Sequence, residues 1–174
     1  MPVELFKRID LDLLMPDFRD RWLELVARCA SRGAIYCALS GWRTQGEQMF
    51  EWSKGRTTPG PHAGEAGYGP LGQTVTKAKA WESAHNFGIA GDCVRVVNGI
   101  RRWEVPFYNE LAEEAPHVGL MTGARWQDFD HVQVPGFVTC DDLAPLTAIM
   151  KNGGNIQDCW NIVLSRWQPA PVCA

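Results

Sequence analysis

The residues with the clearest potential for chemistry are His85 and Asp92, seven positions apart in the stretch SAHNFGIAGDCVRVV, residues 83–97. Histidine and a carboxylate are common zinc ligands, and a catalytic zinc site keeps one coordination position open for water. In a regular strand, positions seven apart point to opposite faces, so these side chains converge only if the backbone between them departs from a strand. Gly88 and Gly91 permit that departure. We expect Asp92 to begin the strand DCVRVV, with its carboxylate at the end of a sheet.

A second cluster, WQDFDHVQ, contains His131 with Asp128 and Asp130. Two histidines and one carboxylate would complete a three-ligand zinc set. If the strand includes Asp128, both aspartates lie on the face opposite His131, and a turn or bulge before the histidine is needed to bring one of them to the water at the metal. The pattern does not choose between the two aspartates. A lone histidine is usually a surface or hydrogen-bonded residue, which is our interpretation of His62 and His117, whereas the paired clusters favour a mononuclear zinc hydrolase.

The elements that must position these residues follow from the spacing of apolar residues. The stretch DFRDRWLELVARCASRG predicts a helix that ends near Gly33 and has one apolar face, formed by Phe18, Trp22, Leu25, Val26 and Cys29. A second helix is predicted in TQGEQMFEWSKG, and strands are predicted in AIYCALSGW, GDCVRVVNG and FDHVQVPGF. The stretch RWEVPFYNELAEEAPHVGL predicts a short strand followed by a helix, and two more helical patterns follow residue 139.

Strands interspersed with helices, without regular β-α-β alternation, indicate an α+β fold: a single domain with a mainly antiparallel sheet flanked by helices. A chain of 174 residues suits one domain and can bury a substantial core. The candidate site lies within residues 1–140, and we interpret residues 141–174 as a short helical C-terminal extension of the same domain.

Residues 56–72, RTTPGPHAGEAGYGPLG, are dense in glycine and proline and predict a long loop. Loops of this length inside a compact domain tend to be functional or mobile. No strand leads into the segment and no Gly-Lys-Ser/Thr ends it, so it is not a phosphate-binding loop. We interpret it as a lid over the cleft.

Composition excludes several function classes. The formal net charge is −3 and there is no run of Lys and Arg, so nothing favours binding to nucleic acid or anionic lipid. No apolar run approaches the roughly 20 residues that span a bilayer, and the N-terminal stretch lacks the pattern of a signal peptide, so we expect synthesis in the cytoplasm without membrane insertion. The six cysteines form no CxxC pair and are expected to be reduced thiols without a function: Cys29, Cys37, Cys93, Cys140, Cys159 and Cys173.

The motifs together resemble a known family. SAHNFGIAGD matches the SxHxxGxAxD motif of zinc D-Ala-D-Ala carboxypeptidases and L-alanyl-D-glutamate endopeptidases, and DFDH followed by VQ resembles the acid-x-x-His motif downstream in the same family. Upstream, SGWRTQGEQ and GRTTPG resemble segments that precede the zinc motif in the phage endolysin branch. The resemblance spans about residues 15–140. It implies a VanY-like, Hedgehog-type zinc peptidase fold.

The resemblance also assigns roles. It implies His85, Asp92 and His131 as ligands of one zinc ion per chain, and Asp128 as the catalytic acid/base. Many relatives carry Glu at the position of Asp128, and the phage branch tolerates Asp.

The resemblance further implies that Arg43 stabilises the oxyanion of the transition state. It offers Ser83, Gln48 and Arg56 as substrate-binding candidates, although a structural role fits Gln48 and Arg56 equally well. Asp130 is the alternative acid/base, or a residue that orients a ligand histidine.

The function implied is a phage or prophage endolysin that cleaves the L-Ala–D-Glu bond of the peptidoglycan stem peptide. We expect a monomer that is made in the host cytoplasm and reaches the periplasm and cell wall after the membrane is permeabilised. Two alternatives stay open. One is a D,D-carboxypeptidase or dipeptidase that removes D-Ala, and the other is a non-catalytic zinc-binding module of the same fold.

Overall fold

The computed structural model describes residues 9–168. Its α-helices are α1 (Pro16–Ser31), α2 (Gln45–Ser53), α3 (Asn109–Glu114), α4 (Cys140–Lys151) and α5 (Ile156–Arg166). Its strands are β1 (Tyr36–Ser40), β2 (Ala90–Val97), β3 (Ile100–Arg102), β4 (Met121–Gly123) and β5 (Asp128–Gln133). Short 3-10 turns connect them, at Leu11–Leu13, Ala84–Phe87, Val105–Tyr108, Ala115–Val118 and Ala124–Trp126.

The five strands form one antiparallel sheet in the order β1-β2-β5-β4, and β3 pairs with β2 as a short hairpin. The α+β class with an antiparallel sheet and flanking helices, predicted from the sequence, is confirmed. Strand β2 is the centre of the sheet, because it pairs with β1 and β5 along its length. Asp92 therefore lies inside the sheet between two neighbouring strands.

Helix α1 packs its predicted apolar face on this sheet, and Phe18, Trp22, Leu25, Val26 and Cys29 are all fully buried. The helix comes close to β2 at Gly91, where an added Cβ would lie 2.2 Å from Cη2 of Trp22. Only glycine fits at this contact.

The two glycines of the motif therefore have different roles. Gly88 has a φ of +67° and ends the turn that carries His85, as the departure from a strand requires. Gly91 lies inside β2, so its role is the close approach of α1 and not a bend. Strand β2 also begins two residues before Asp92, at Ala90, because Ala90 and Gly91 already pair with β5.

One short element differs from the prediction. Residues Val105–Tyr108 form a 3-10 turn where a short strand was expected, and the strand of this region is β3, which ends at Arg102. Pro106 explains the difference, since proline has no N–H to donate to a strand neighbour and suits the first positions of a helix.

Helices α4 and α5 pack on the same hydrophobic core as α1 and the sheet, through the buried Leu143, Leu146, Cys159 and Val163. They also hold the segment that carries His85. Trp160 Nε1 donates to the carbonyl of Phe87 at 2.8 Å, and Thr147 Oγ1 donates to the carbonyl of Trp81 at 2.9 Å. The division into residues 1–140 and an extension of residues 141–174 stays a prediction, and residues 169–174 lie outside the described range.

Among residues 9–168, no helix is long and apolar enough to cross a membrane. Five of the six cysteines lie in this range and are free thiols, with Cys29, Cys93 and Cys159 buried. Cys173 lies outside the described residues.

Candidate metal centre

The three predicted ligands come together at the centre of the sheet. Asp92 on β2 and His131 on β5 are direct cross-strand partners, so their side chains share one face. His85 reaches the same point from the turn Ala84–Phe87, which begins with a hydrogen bond from the His85 N–H to Ser83 Oγ and ends at Gly88. The backbone N–H of Arg43 donates to the carbonyl of His85 at 3.1 Å, and this bond ties the turn to the end of β1.

The ligand atoms converge closely. Asp92 Oδ1 lies 3.0 Å from His131 Nδ1 and 3.2 Å from His85 Nε2, and the two nitrogens are 3.3 Å apart. Both histidines are buried, with 2% and 7% of their surface exposed. Two imidazole nitrogens and one carboxylate oxygen form a donor set that zinc prefers.

The second nitrogen of each ring is already hydrogen-bonded. His85 Nδ1 lies 2.6 Å from the carbonyl oxygen of Gly41, and His131 Nε2 lies 2.8 Å from Gln133 Oε1. Both partners are acceptors, so those nitrogens donate, and the other ring nitrogens, His85 Nε2 and His131 Nδ1, face Asp92 and are the ones that a metal ion would bind. The three residues therefore fit a zinc ion in chemistry and in orientation.

The other oxygen of the Asp92 carboxylate is also held. Its Oδ2 accepts a hydrogen bond from Ser40 Oγ at 2.5 Å and another from the guanidinium of Arg43. Arg43 donates in turn to Ser40 Oγ at 2.7 Å and to Gln48 Oε1 at 3.4 Å. Because Ser40 pairs with Asp92 across β1 and β2, the sheet itself supplies this support.

The electrostatics of Asp92 and His85 favour metal binding, and those of His131 favour a proton. Burial opposes ionisation of Asp92, but the two histidines and Arg43 lower the pKa of its carboxyl well below the usual range. Burial lowers the pKa of His85, so its imidazole is neutral, as a metal ligand requires. Burial also disfavours the charged form of His131, yet the hydrogen bond and charge of Asp92 and the charge of Asp128 raise the pKa of His131 overall. A metal ion would compete with a proton at this ring.

Asp128 and Asp130 precede His131 on an irregular part of β5. Across β4 and β5, Thr122 pairs with Val132, but the next pair is Gly123 with Asp128, so the register shifts between them. This irregularity interrupts the regular pairing before His131, where the alternation of side chains calls for a turn or bulge if an aspartate is to reach the site. Asp128 is exposed at the start of β5, and its charge reaches His131.

Asp130 is partly buried and interacts with Asp128. Burial, the negative charge of Asp92 and a hydrogen bond with Asp128 raise the pKa of Asp130 to about 8. After burial itself, the charge of Asp130 is the largest influence that raises the pKa of Cys93 and of Tyr108, two residues of the hydrophobic core. The two aspartates thus form a pair in which Asp130 lies toward the core and Asp128 toward solvent.

The three candidate substrate-binding residues contact the protein itself. Gln48 is fully buried, donates to the carbonyl of Ala78 at 2.9 Å and accepts from Arg43. Arg56 donates to the carbonyl of Thr76 at 2.9 Å and stacks on Trp52, with 4.8 Å from its guanidinium carbon to the ring centroid. Ser83 caps the turn of His85. These contacts are structural, and the roles of all three in substrate binding stay predictions.

The glycine-rich segment 56–72 closes on itself through backbone hydrogen bonds. Gly60 N–H donates to the carbonyl of Leu71 at 2.8 Å, and Gly64 N–H donates to that of Gly69 at 2.9 Å. An added Cβ at Gly60 or Gly72 would lie 2.4 Å from a backbone oxygen, so the glycines permit this close packing. The function of the segment as a lid stays a prediction.

A largely apolar cavity of about 450 Å³ lies beside the cluster. Arg43 and Asn86, the neighbour of His85, form part of its wall. Aromatic and aliphatic side chains form most of the rest: Leu13, Trp42, Trp81, Met150, Ile156 and Trp160. The cavity is bounded by α4 and α5, so the C-terminal helices shape the surroundings of the site.

Sequence reasoning missed three groups of the site: Ser40, the carbonyl of Gly41, and Gln133. Gln133 stands two positions after His131 on a strand, so the alternation of side chains places both on one face and could have indicated it. Ser40 and Gly41 gave no comparable signal, because their contacts depend on the pairing of β1 with β2.

No family model matches the chain. Among similar solved structures is the Serratia marcescens L-Ala D-Glu endopeptidase ChiX, with 23% sequence identity, covering 71% of this chain and 82% of that chain, and a TM-score of 0.44. A mutant of the vancomycin resistance D,D-pentapeptidase VanY in complex with Zn(II) is similar at 18% identity, 83% and 82% coverage and a TM-score of 0.45. The LD-carboxypeptidase LdcB is similar at 15% identity, 85% and 68% coverage and a TM-score of 0.46.

Proposed function

We propose that this protein is a zinc-dependent peptidoglycan peptidase, and specifically an L-alanyl-D-glutamate endopeptidase of phage or prophage origin. The observation that carries the proposal is the convergence of His85 Nε2, Asp92 Oδ1 and His131 Nδ1 within one buried cluster. The SxHxxGxAxD motif and the DFDH motif contain all three residues. The L-Ala–D-Glu specificity is supported by the resemblance of SGWRTQGEQ and GRTTPG to the endolysin branch.

The chemistry divides between the cluster and its neighbours. His85, Asp92 and His131 would hold a zinc ion, which when bound would supply Lewis-acid polarisation of the scissile carbonyl and make the attacking water more acidic. Asp128 takes the proton of the attacking water and later delivers it to the leaving amine, which is general acid–base catalysis. Its exposed position beside His131 gives it access to both water and substrate.

Arg43 is proposed to bind the oxyanion that develops on the carbonyl oxygen. Three of the five N–H donors of its guanidinium are used in the bonds to Asp92, Ser40 and Gln48, which leaves two for a substrate oxygen. The bonds to Ser40 and Gln48 hold the planar group in one orientation before the substrate arrives. Such preorganised donors contribute about 10²–10³-fold to the rate in other hydrolases.

The experiment that tests the proposal is digestion of purified peptidoglycan by the zinc-loaded protein, with products identified by mass spectrometry. An EDTA-treated sample and Asp128→Ala are compared with the wild type, and Asp141→Asn serves as a control at an exposed aspartate of α4. Stem peptides that begin at D-Glu, formed by the wild type and the control but lost in the other two samples, support the proposed endopeptidase.

Other products identify the alternatives. Release of free D-Ala would assign the protein as a D,D-carboxypeptidase or dipeptidase. A wild type that binds zinc but forms no metal-dependent product would contradict catalysis and favour a non-catalytic binding module. The proposed place of action is the cell wall, reached after membrane permeabilisation, with the stem peptide as partner and a monomer as the active form.

A further inference from the structure

We propose that Gln133 is a positioning residue that fixes which nitrogen of His131 is free to bind a metal. The inference rests on the proposed zinc site, and it concerns a side chain to which the motif resemblance assigns no role. Gln133 follows His131 by two positions on β5, so both side chains lie on one face of the sheet. Both are buried, Gln133 with 3% of its surface exposed.

The orientation of the Gln133 amide follows from its neighbours. Its Nε2 donates to the carbonyl oxygen of Phe137 at 3.0 Å and lies 3.3 Å from that of Val134. A carbonyl oxygen only accepts hydrogen bonds, so the NH₂ group of the amide must face this turn. The amide oxygen is thereby directed at His131 Nε2, 2.8 Å away.

The tautomer of His131 follows from the same argument. An amide oxygen cannot donate, so His131 Nε2 carries a proton, and in the neutral ring the lone pair is then on Nδ1. Nδ1 faces Asp92 Oδ1 and His85 Nε2, at 3.0 Å and 3.3 Å, where a metal ion would replace any proton that it carries. If the amide were turned round, two N–H groups would meet and the turn would lose its donor. The backbone of Val134–Phe137 therefore determines, through one side chain, the ligand atom of His131.

His85 offers a comparison inside the same cluster. Its Nδ1 donates to the backbone carbonyl of Gly41 at 2.6 Å, so its orientation depends on the chain and not on a side chain. Only the orientation of His131 can be changed by a substitution that leaves the ligand itself intact. Hydrogen-bond partners of metal-binding histidines typically contribute about 10–100-fold to metal affinity.

The test uses the full chain with Gln133→Met, which keeps a side chain of similar length but removes the acceptor, and Gln133→Glu, which restores an oxygen toward His131. Gln157→Met, at an exposed position of α5, is the matched control. Zinc affinity is measured by competition with a chromophoric chelator. The side-chain nitrogens of His85 and His131 are assigned by ¹⁵N NMR in the metal-free protein.

We expect zinc binding by Gln133→Met to be about 10–100-fold weaker than that of the wild type, and Gln133→Glu to recover most of the loss. His131 should be protonated at Nε2 in the wild type and lose that preference in Gln133→Met, while His85 stays unchanged. The inference is overturned if Gln133→Met binds zinc as the wild type does, if Gln133→Glu binds no more tightly than Gln133→Met, or if the neutral ring of wild-type His131 carries its proton at Nδ1. A wild type that binds no zinc would refute the proposed function instead, and the tautomer of its His131 would still decide the role of Gln133.

Discussion

The two halves of β5 carry the residues for the two parts of the proposed mechanism, metal binding and acid–base catalysis, and they differ in order and burial. The ligand half, His131–Gln133, is buried and pairs in register with β2. The acid half, Asp128–Asp130, is exposed or partly buried. The register shift in the pairing of β4 with β5 falls between Asp128 and Val132. One strand of six residues thus combines a regular segment and an irregular one.

The difference corresponds to what each half must do. A metal ligand must be held in one orientation, and the paired half provides this through the cross-strand partner Asp92 and through Gln133. A general acid/base must reach water and substrate, and strict alternation would have placed Asp128 and Asp130 on the face opposite His131. The bulge releases the acid half from that alternation.

The largest expected effects, on zinc binding and on kcat, come from substitutions that test the ligand half and the acid half separately. His131→Ala should abolish stoichiometric zinc binding and activity, because only two ligands remain. Asp128→Asn should keep zinc affinity within a few-fold and still lower kcat by about 10²–10⁴-fold, the usual contribution of a general acid or base. Zinc titration and kcat on stem peptides check both. Loss of zinc by Asp128→Asn would show that the halves are not independent.

Much of this arrangement could be predicted from the sequence. The spacing of His85 and Asp92 required a break between them, and Gly88 provides it with a positive φ. The alternation around His131 indicated that an aspartate reaches the site only through a turn or bulge, and the pairing of β4 with β5 is irregular there. Both predictions worked because side-chain direction in a strand follows directly from position.

What the sequence could not predict depends on contacts between distant segments. The contact of Gly91 with Trp22 joins residues 69 positions apart, and the bond of Ser40 to Asp92 spans 52. Neither leaves a periodic signal. The sequence also did not choose between Asp128 and Asp130, whose environments differ through the packing of the core around Asp130.

Two glycines allow a second, smaller test of the two halves. Gly91→Ala would place a Cβ against Trp22 beside the ligand half, and we expect a loss of about 1–3 kcal/mol in the free energy of unfolding. Gly123→Ala would place a Cβ 2.3 Å from the carbonyl oxygen of Asp128 and 2.9 Å from its Cβ. Displacing the Asp128 carboxylate by about 1 Å should lower kcat by up to about 10²-fold while zinc affinity is retained.

Urea unfolding, zinc titration and kcat distinguish these outcomes. Gly46→Ala is the control, since its Cβ would meet nothing closer than 3.9 Å and its backbone is helical. If Gly123→Ala reduced zinc affinity as strongly as kcat, the acid half would be mechanically coupled to the ligands. That result would contradict the independence of the two halves of β5.

The smallest effect concerns the pH dependence of stability and the acid half alone. In the folded protein burial, the charge of Asp92 and the hydrogen bond with Asp128 raise the pKa of Asp130 to about 8, from an ordinary value of 3.8. Between these two values the folded state keeps a proton that the unfolded state releases, so stability falls as the pH rises from about 4 to about 8. Asp130→Asn cannot titrate but keeps an N–H donor toward Asp128, so the fall in stability between about pH 4 and about pH 8 that is due to Asp130 should disappear.

Urea unfolding of the metal-free wild type and variant at pH 5 and pH 8 measures this change in the free energy of unfolding. Asp141→Asn is the control, and it should retain the pH dependence of the wild type. Equal slopes for the wild type and Asp130→Asn would show that Asp130 is ionised in the folded protein, and that the acid half is as open to solvent at Asp130 as it is at Asp128.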